Sequence, residues 1–157
     1  MKLTIAVAAL FVSASSALAC PDYTLWGNET YEVTGDQLYT PRSFSVVAGG
    51  DTNLERCRIR SPTWNGAMPG FVISKPDFSI TVRGVAGYEL EFRTVSSCDT
   101  VLLINTAGAN WYFDDDDNGN ADAKIRLTRP SGDGIYDVWI GTYNGDYCDA
   151  QLIVETF

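Results

Sequence analysis

Short runs of β-branched and aromatic residues, each closed off by Gly, Pro, Asn or Asp, constrain this chain more than any other feature. They are Ser43–Gly50, Gly70–Ser74, Phe78–Gly84, Tyr88–Val95, Thr100–Thr106, Ala123–Arg129, Ile135–Tyr143 and Gln151–Phe157. Several alternate strictly: Ile80 and Val82 against Thr81 and Arg83, Leu90 and Phe92 against Glu89 and Glu91. A period of two gives a strand one apolar and one wet face. The expected fold is all-β, an antiparallel β-sandwich with no helix of normal length. Thr100–Asn105, TVLLIN, is apolar without a break and reads as a central strand buried on both faces. Gly84–Gly87 and Asn105–Gly108 lie between consecutive runs and read as hairpin turns, because glycine supplies the positive φ such turns need.

The first 19 residues have the layout of a cleaved export signal: Lys2, an apolar run from Leu3 to Val12, then Ala17-Leu18-Ala19. That run is too short to span a bilayer. Ala17 stands where a lipid-attachment box wants a large aliphatic residue, so Cys20 is expected to begin the mature chain. The remaining 138 or so residues suit one domain, with residues 20–75 adding strands to the 76–157 half. Pro21–Val33 and Pro76–Leu90 share an opening Pro-Asp-aromatic and a later Tyr-Glu, which suggests a duplication.

An exported chain with four cysteines, Cys20, Cys57, Cys98 and Cys148, is expected to carry two disulfides. Three pairings are open. Cys20–Cys57 with Cys98–Cys148 keeps each bridge within one half of the chain. Zinc is disfavoured, since no C-x-x-C and no histidine is present. The formal charge of −9 disfavours nucleic acid and anionic membranes, and makes cations the natural small partners. Glu155 breaks the alternation that a lipid-facing last strand would need, so membrane insertion as a barrel is not expected either.

The segment WYFDDDDNGNAD, Trp111–Asp122, puts four aspartates directly after three aromatics. Asp114, Asp116 and Asn118 recur at every second residue before Gly119, which is the first half of a calcium loop. Asn120 follows in the same pattern, and Asp122 falls at the loop's ninth position. Ile125 occupies the twelfth, where an EF-hand wants glutamate, and no helix flanks the segment. The expectation is therefore a calcium site outside the EF-hand class. Its missing carboxylate would come from Asp99, Asp133 or Asp137, while Asp115 and Asp117 face solvent or a second cation. Four adjacent carboxylates repel one another, and a divalent ion relieves that more than water does. Among the aromatics, one or two of Trp111, Tyr112 and Phe113 are expected in the core. Any exposed remainder, with Trp139 and Tyr143, could stack on sugars or peptide side chains.

The absence of histidine removes the usual Ser-His-Asp and Cys-His machinery, and no G-x-S-x-G elbow occurs. Ser74 or Ser79 with Lys75 or Lys124 remains as a formal serine–lysine pair. Ser74 and Lys75 are adjacent, so on a strand they would point to opposite faces. A glycosidase-like carboxylate pair stays open by count alone.

From Phe78 onward the chain resembles the bacterial pre-peptidase C-terminal domain family. The residues that carry the resemblance are YELEFRTVSSCDTVLLINTAGANWYFDDDDNG, RPSGDGIYDVWIGTY and QLIVET. It implies a β-sandwich or jelly-roll module, often calcium-associated, that assists secretion, localisation or substrate binding without catalysis. Asp114, Asp116 and Asn118 match its candidate metal ligands. The chain departs from the family pattern in having no catalytic domain attached and no counterpart for its first half. The expected function is that of a secreted or periplasmic, non-catalytic, calcium-binding module for extracellular protein or polysaccharide. A small secreted hydrolase and a self-associating surface protein are the alternatives.

Overall fold

The structure is a computed structural model, which describes residues 19–157. The expected export signal, apart from Ala19, lies outside the described residues. Eleven strands form two packed sheets. They are β1 (Glu29–Thr34), β2 (Arg42–Ala48), β3 (Thr52–Asn53), β4 (Phe71–Val72), β5 (Phe78–Arg83), β6 (Leu90–Ser96), β7 (Thr100–Asn105), β8 (Trp111–Asp114), β9 (Lys124–Leu127), β10 (Gly134–Thr142) and β11 (Cys148–Thr156). The smaller sheet runs β2-β11-β6-β9. In the larger one β10 is central, with β5 and β4 along one edge and β7 then β8 along the other.

The pairings nest in sequence: β7 with β8, β6 with β9, β5 with β10 and β2 with β11, all antiparallel. Rolling this ribbon brings β11 beside β6 and β10 beside β7. That is a double-sheet jelly roll. The one parallel pairing departs from the expected pattern. Strand β1 lies along β5 from Glu29↔Phe78 to Thr34↔Arg83 and extends the larger sheet. Its turn into β2 is a short helix, α1 (Gly35–Leu38), whose Thr34 and Gln37 cap each other reciprocally. Pro21–Val33 and Pro76–Leu90 are therefore no structural repeat. Tyr31 lies within an edge strand, whereas Tyr88 lies in the crossing that leads to β6.

Two apolar clusters hold the sheets. The inter-sheet core contains Phe78, Ile80, Val82, Leu90, Phe92, Tyr136, Val138, Leu152 and Val154. A second cluster, on the outer face of the larger sheet, gathers Leu54, Met68, Val72, Val101, Leu103, Phe113 and Trp139. Strand β7 serves both: Leu102 and Ile104 enter the first, Val101 and Leu103 the second. This explains why TVLLIN is buried at every position, as its composition implied. The 51–73 segment is thus a cover for the outer face, and residues 20–75 complete a single structure with the rest.

Both expected disulfides are present, Cys20–Cys57 and Cys98–Cys148. The first fastens the start of the described chain to the cover. The second joins the approach to β7 with the start of β11. Such bridges belong to an oxidising environment. No helix among the described residues is long and apolar enough to cross a membrane.

One expected turn is corrected. Asn105–Gly108 does turn β7 into its neighbour β8, closed by the Ala109 N–H to Thr106 carbonyl bond of 2.7 Å. Gly84–Gly87 is no hairpin, because it carries the chain from β5 in one sheet to β6 in the other. Burial of Val85 and the Val85 N–H bond to Asp133 Oδ1, 3.1 Å, fix that crossing.

Candidate functional site at the acidic end of the sandwich

Strand β8 delivers the acidic segment to one end of the jelly roll, and the loop's own hydrogen bonds set its shape. Asp114 Oδ2 accepts from Asp117 N at 3.0 Å and from Lys124 N at 2.9 Å, so this carboxylate ties the loop's two ends together. Asn118 Nδ2 donates to the Thr94 carbonyl at 2.7 Å, which anchors the loop to β6. Asn118 N and the Asp122 carbonyl close the bend at 2.8 Å. Asp122 is 4 % exposed and accepts from Thr100 Oγ1 at 3.3 Å. Asn120 is exposed, with φ at +53°. Of the expected ligands, then, Asp114 commits an oxygen to the loop itself, Asn118 and Asp122 commit side-chain atoms to β6 and β7, and Asp116 and Asn120 face solvent.

The expected orientation of Asp115 is corrected as well. It is only 9 % exposed. It lies in the bend that follows β8, two residues beyond Phe113, which is fully buried in the outer cluster. Burial first, then the carboxylates of Asp116, Asp114 and Asp99, push the Asp115 carboxyl up to about 6. Asp99 is itself raised by burial and by Asp116. Asp114 and Asp122 are raised chiefly by burial, against their hydrogen bonds. No ion pair among the described residues involves Asp99, Asp114, Asp115 or Asp116. The end of the sandwich is thus a dense, uncompensated negative charge.

Of the carboxylates considered for completing a site, only Asp99 belongs to this group. Asp133 caps the β5–β6 crossing, and Asp137 accepts from Ser79 Oγ at 2.5 Å on the larger sheet. Among the described residues no three His, Cys, Asp or Glu side chains stand close enough to hold a metal as placed. Asp99, Asp115 and Asp116 are oxygen groups of the kind hard cations take, and as placed they do not form a coordination shell.

The serine–lysine arrangement does not form at either serine. Ser74 Oγ donates to the Cys20 carbonyl, and Ser79 Oγ donates to Asp137. Trp139 is fully buried and packs on half-buried Trp111 with ring centroids 5.3 Å apart, so both support the outer cluster. Tyr143 is exposed. A separate group escaped the sequence reading. Asp77, just before β5, is 7 % exposed, and its Oδ2 accepts from Ile140 N at 2.8 Å. Burial with no cation nearby lifts it to about 7. The signal available was its position after Pro76, opening a strand that is buried along nearly its whole length.

No protein-family model matches this chain, and no curated protein matches it either.

Proposed function

We propose that this protein is an exported, non-catalytic binding module whose acidic end takes calcium. The observation that carries the reading is the crowding of Asp99, Asp114 and Asp116 around nearly buried Asp115 with no cationic side chain paired to them. Carboxylates held this closely repel one another, and a hard divalent ion is the partner that reverses the sign of the interaction. Asp99, Asp115 and Asp116 would hold it, replacing the alternate-residue set as the first candidates. The non-catalytic part is supported by the lack of any histidine and by serines whose partners are a carboxylate and a backbone carbonyl. Export is supported by the N-terminal pattern together with the two disulfides.

Thermal unfolding in EDTA, calcium and magnesium tests the reading. A ligand that binds the native state at about ten times its dissociation constant adds about 1.4 kcal/mol. For a domain of this size that is a rise of roughly 3–6 °C. The rise is expected with calcium and not with magnesium. Asp116→Ala, an exposed position, should lose the rise and melt unchanged in EDTA. Equal melting temperatures of the wild type in EDTA and in calcium would remove calcium from the account.

A further inference from the structure

A row of polar side chains crosses the outer face of the larger sheet, beside the apolar cluster that covers the rest of it. Ser79, Asp137 and Asn105 are direct cross-strand partners on β5, β10 and β7, so they share that face. Their exposures are 1 %, 6 % and 2 %. Core packing does not account for them. Ser79 Oγ takes the Gly27 N–H at 2.7 Å and gives its proton to Asp137 Oδ1. Asn105 Nδ2 is buried and has no partner at all. A buried amide donor left this way is costly, which sets this polar row apart from the apolar cluster beside it.

The segment before β1 walls the Ser79 and Asp137 end of this row. Tyr23, Leu25, Trp26, Ser79 and Asp137 line a pocket of about 170 Å³, open to solvent. Trp26 is 62 % exposed, Tyr23 46 % and Leu25 45 %, an unusual concentration of apolar surface around one buried carboxylate. Tyr23 is braced edge-on against Trp111, centroids 5.8 Å apart. Trp111 stands opposite Asn105 across the strands, where the polar row meets the apolar cluster.

An aromatic face beside a carboxylate and hydroxyl groups suits a ligand that is apolar on one side and hydroxylated at its rim. We propose that this pocket binds one sugar unit of a neutral polysaccharide, its C–H face on Trp26 and its hydroxyls on Asp137. The space suits a single pyranose ring, and the open mouth lets the chain continue on either side. Asp137 and the overall charge of −9 disfavour uronic acids and sulfated sugars. An organic cation would also fit aromatic rings and a carboxylate. A quaternary ammonium brings no donor for the Thr24 hydroxyl oxygen, which lines the pocket, already gives its own proton to Asp22 and is left to accept from a sugar hydroxyl. This inference rests on the binding-module reading and uses none of the residues of the acidic end.

Affinity electrophoresis of the purified protein through native gels containing hydroxyethylcellulose, galactomannan, xyloglucan, glycogen or dextran, with alginate as the anionic control, tests it. Retardation is expected in at least one neutral gel and not in alginate. Trp26→Ala should raise the dissociation constant by about tenfold or more and melt like the wild type, because its ring is exposed. Asp137→Asn should weaken retardation comparably. A wild type that passes every neutral gel unretarded overturns the proposal, as does retardation unchanged in Trp26→Ala. Choline that shifts the tryptophan fluorescence of a protein unretarded by every gel would assign the pocket to a cation instead and overturn it too. The calcium response is read separately by melting, so silent gels beside a calcium response refute this inference alone.

Discussion

Replacing Asp77 by asparagine should make the protein more stable at alkaline pH and leave it nearly unchanged in acid. Asp77 sits at about 7 in the folded protein against 3.8 for the ordinary side chain. The unfolded chain therefore ionises it about three pH units earlier. Below pH 3.8 both states carry the neutral acid and folding pays nothing for it. As pH rises toward 7 the unfolded state gains the charged form first, and stability falls. Above 7 the loss is complete. At 1.36 kcal/mol per unit, the ceiling is about 4 kcal/mol. Asparagine keeps the carbonyl oxygen that takes the Ile140 N–H, so the 2.8 Å bond survives while the buried charge does not. With 2–4 °C per kcal/mol for a domain of this size, the variant should melt about 10 °C above the wild type at pH 8.5. At pH 4.5 the gap should shrink to about 1 kcal/mol, roughly 2–4 °C, and it should close below pH 3.8. Differential scanning calorimetry across pH reads the difference curve directly. It isolates Asp77, because the other raised carboxylates, Asp99, Asp114, Asp115, Asp122 and Asp137, are common to both proteins. An offset independent of pH, or a variant less stable at pH 8.5, would refute the reasoning.

Three further changes probe the scaffold. Replacing Cys20 and Cys57 together by serine should cost about 2–5 kcal/mol in denaturant unfolding, and should red-shift tryptophan emission because Trp139 lies under the cover that this bridge fastens. Arg93→Ala removes the guanidinium that bonds Glu91 at 2.6 Å and Glu155 at 2.7 Å on the smaller sheet. Glu91 is 5 % exposed, with Arg126 3.6 Å away as its remaining partner, so a loss of about 2–4 kcal/mol is expected in urea titration. Gly27→Ala would set a Cβ 2.4 Å from Ser79 N and 2.6 Å from the Phe78 carbonyl carbon. Rigid backbone on both sides leaves it nowhere to go, so this variant should detach the 22–27 segment and show faster proteolysis there.

The strands of the jelly roll were legible wherever alternation or unbroken apolarity was strong. Ile80 and Val82, Leu90 and Phe92, and TVLLIN all lie where their pattern placed them. Strand β1 was not legible. As an edge strand it leaves Glu29 and Thr30 exposed, and only Tyr31 and Val33 face the core. Gly84–Gly87 misled for a related reason, since a crossing between sheets and a hairpin use the same turn residues. The cysteine pairing was readable because each bridge closes within one half of the chain. In the acidic segment the chemistry could be read and the geometry could not. Asp114 serves as a cap for Asp117 and Lys124, a role that depends on where the chain turns back, and Asp115 is buried by the bend that follows β8. The row Ser79–Asp137–Asn105 joins residues from three separate runs, so only the strand register brings it together.

Isothermal calorimetry of calcium binding to the wild type and to Asp115→Asn tests the central claim most directly. The account predicts a single site in the wild type, with a dissociation constant of about 10⁻⁴–10⁻³ M, the range of extracellular calcium modules, and its loss when the nearly buried carboxylate is neutralised. A flat titration of the wild type, or the same isotherm from both proteins, would contradict it.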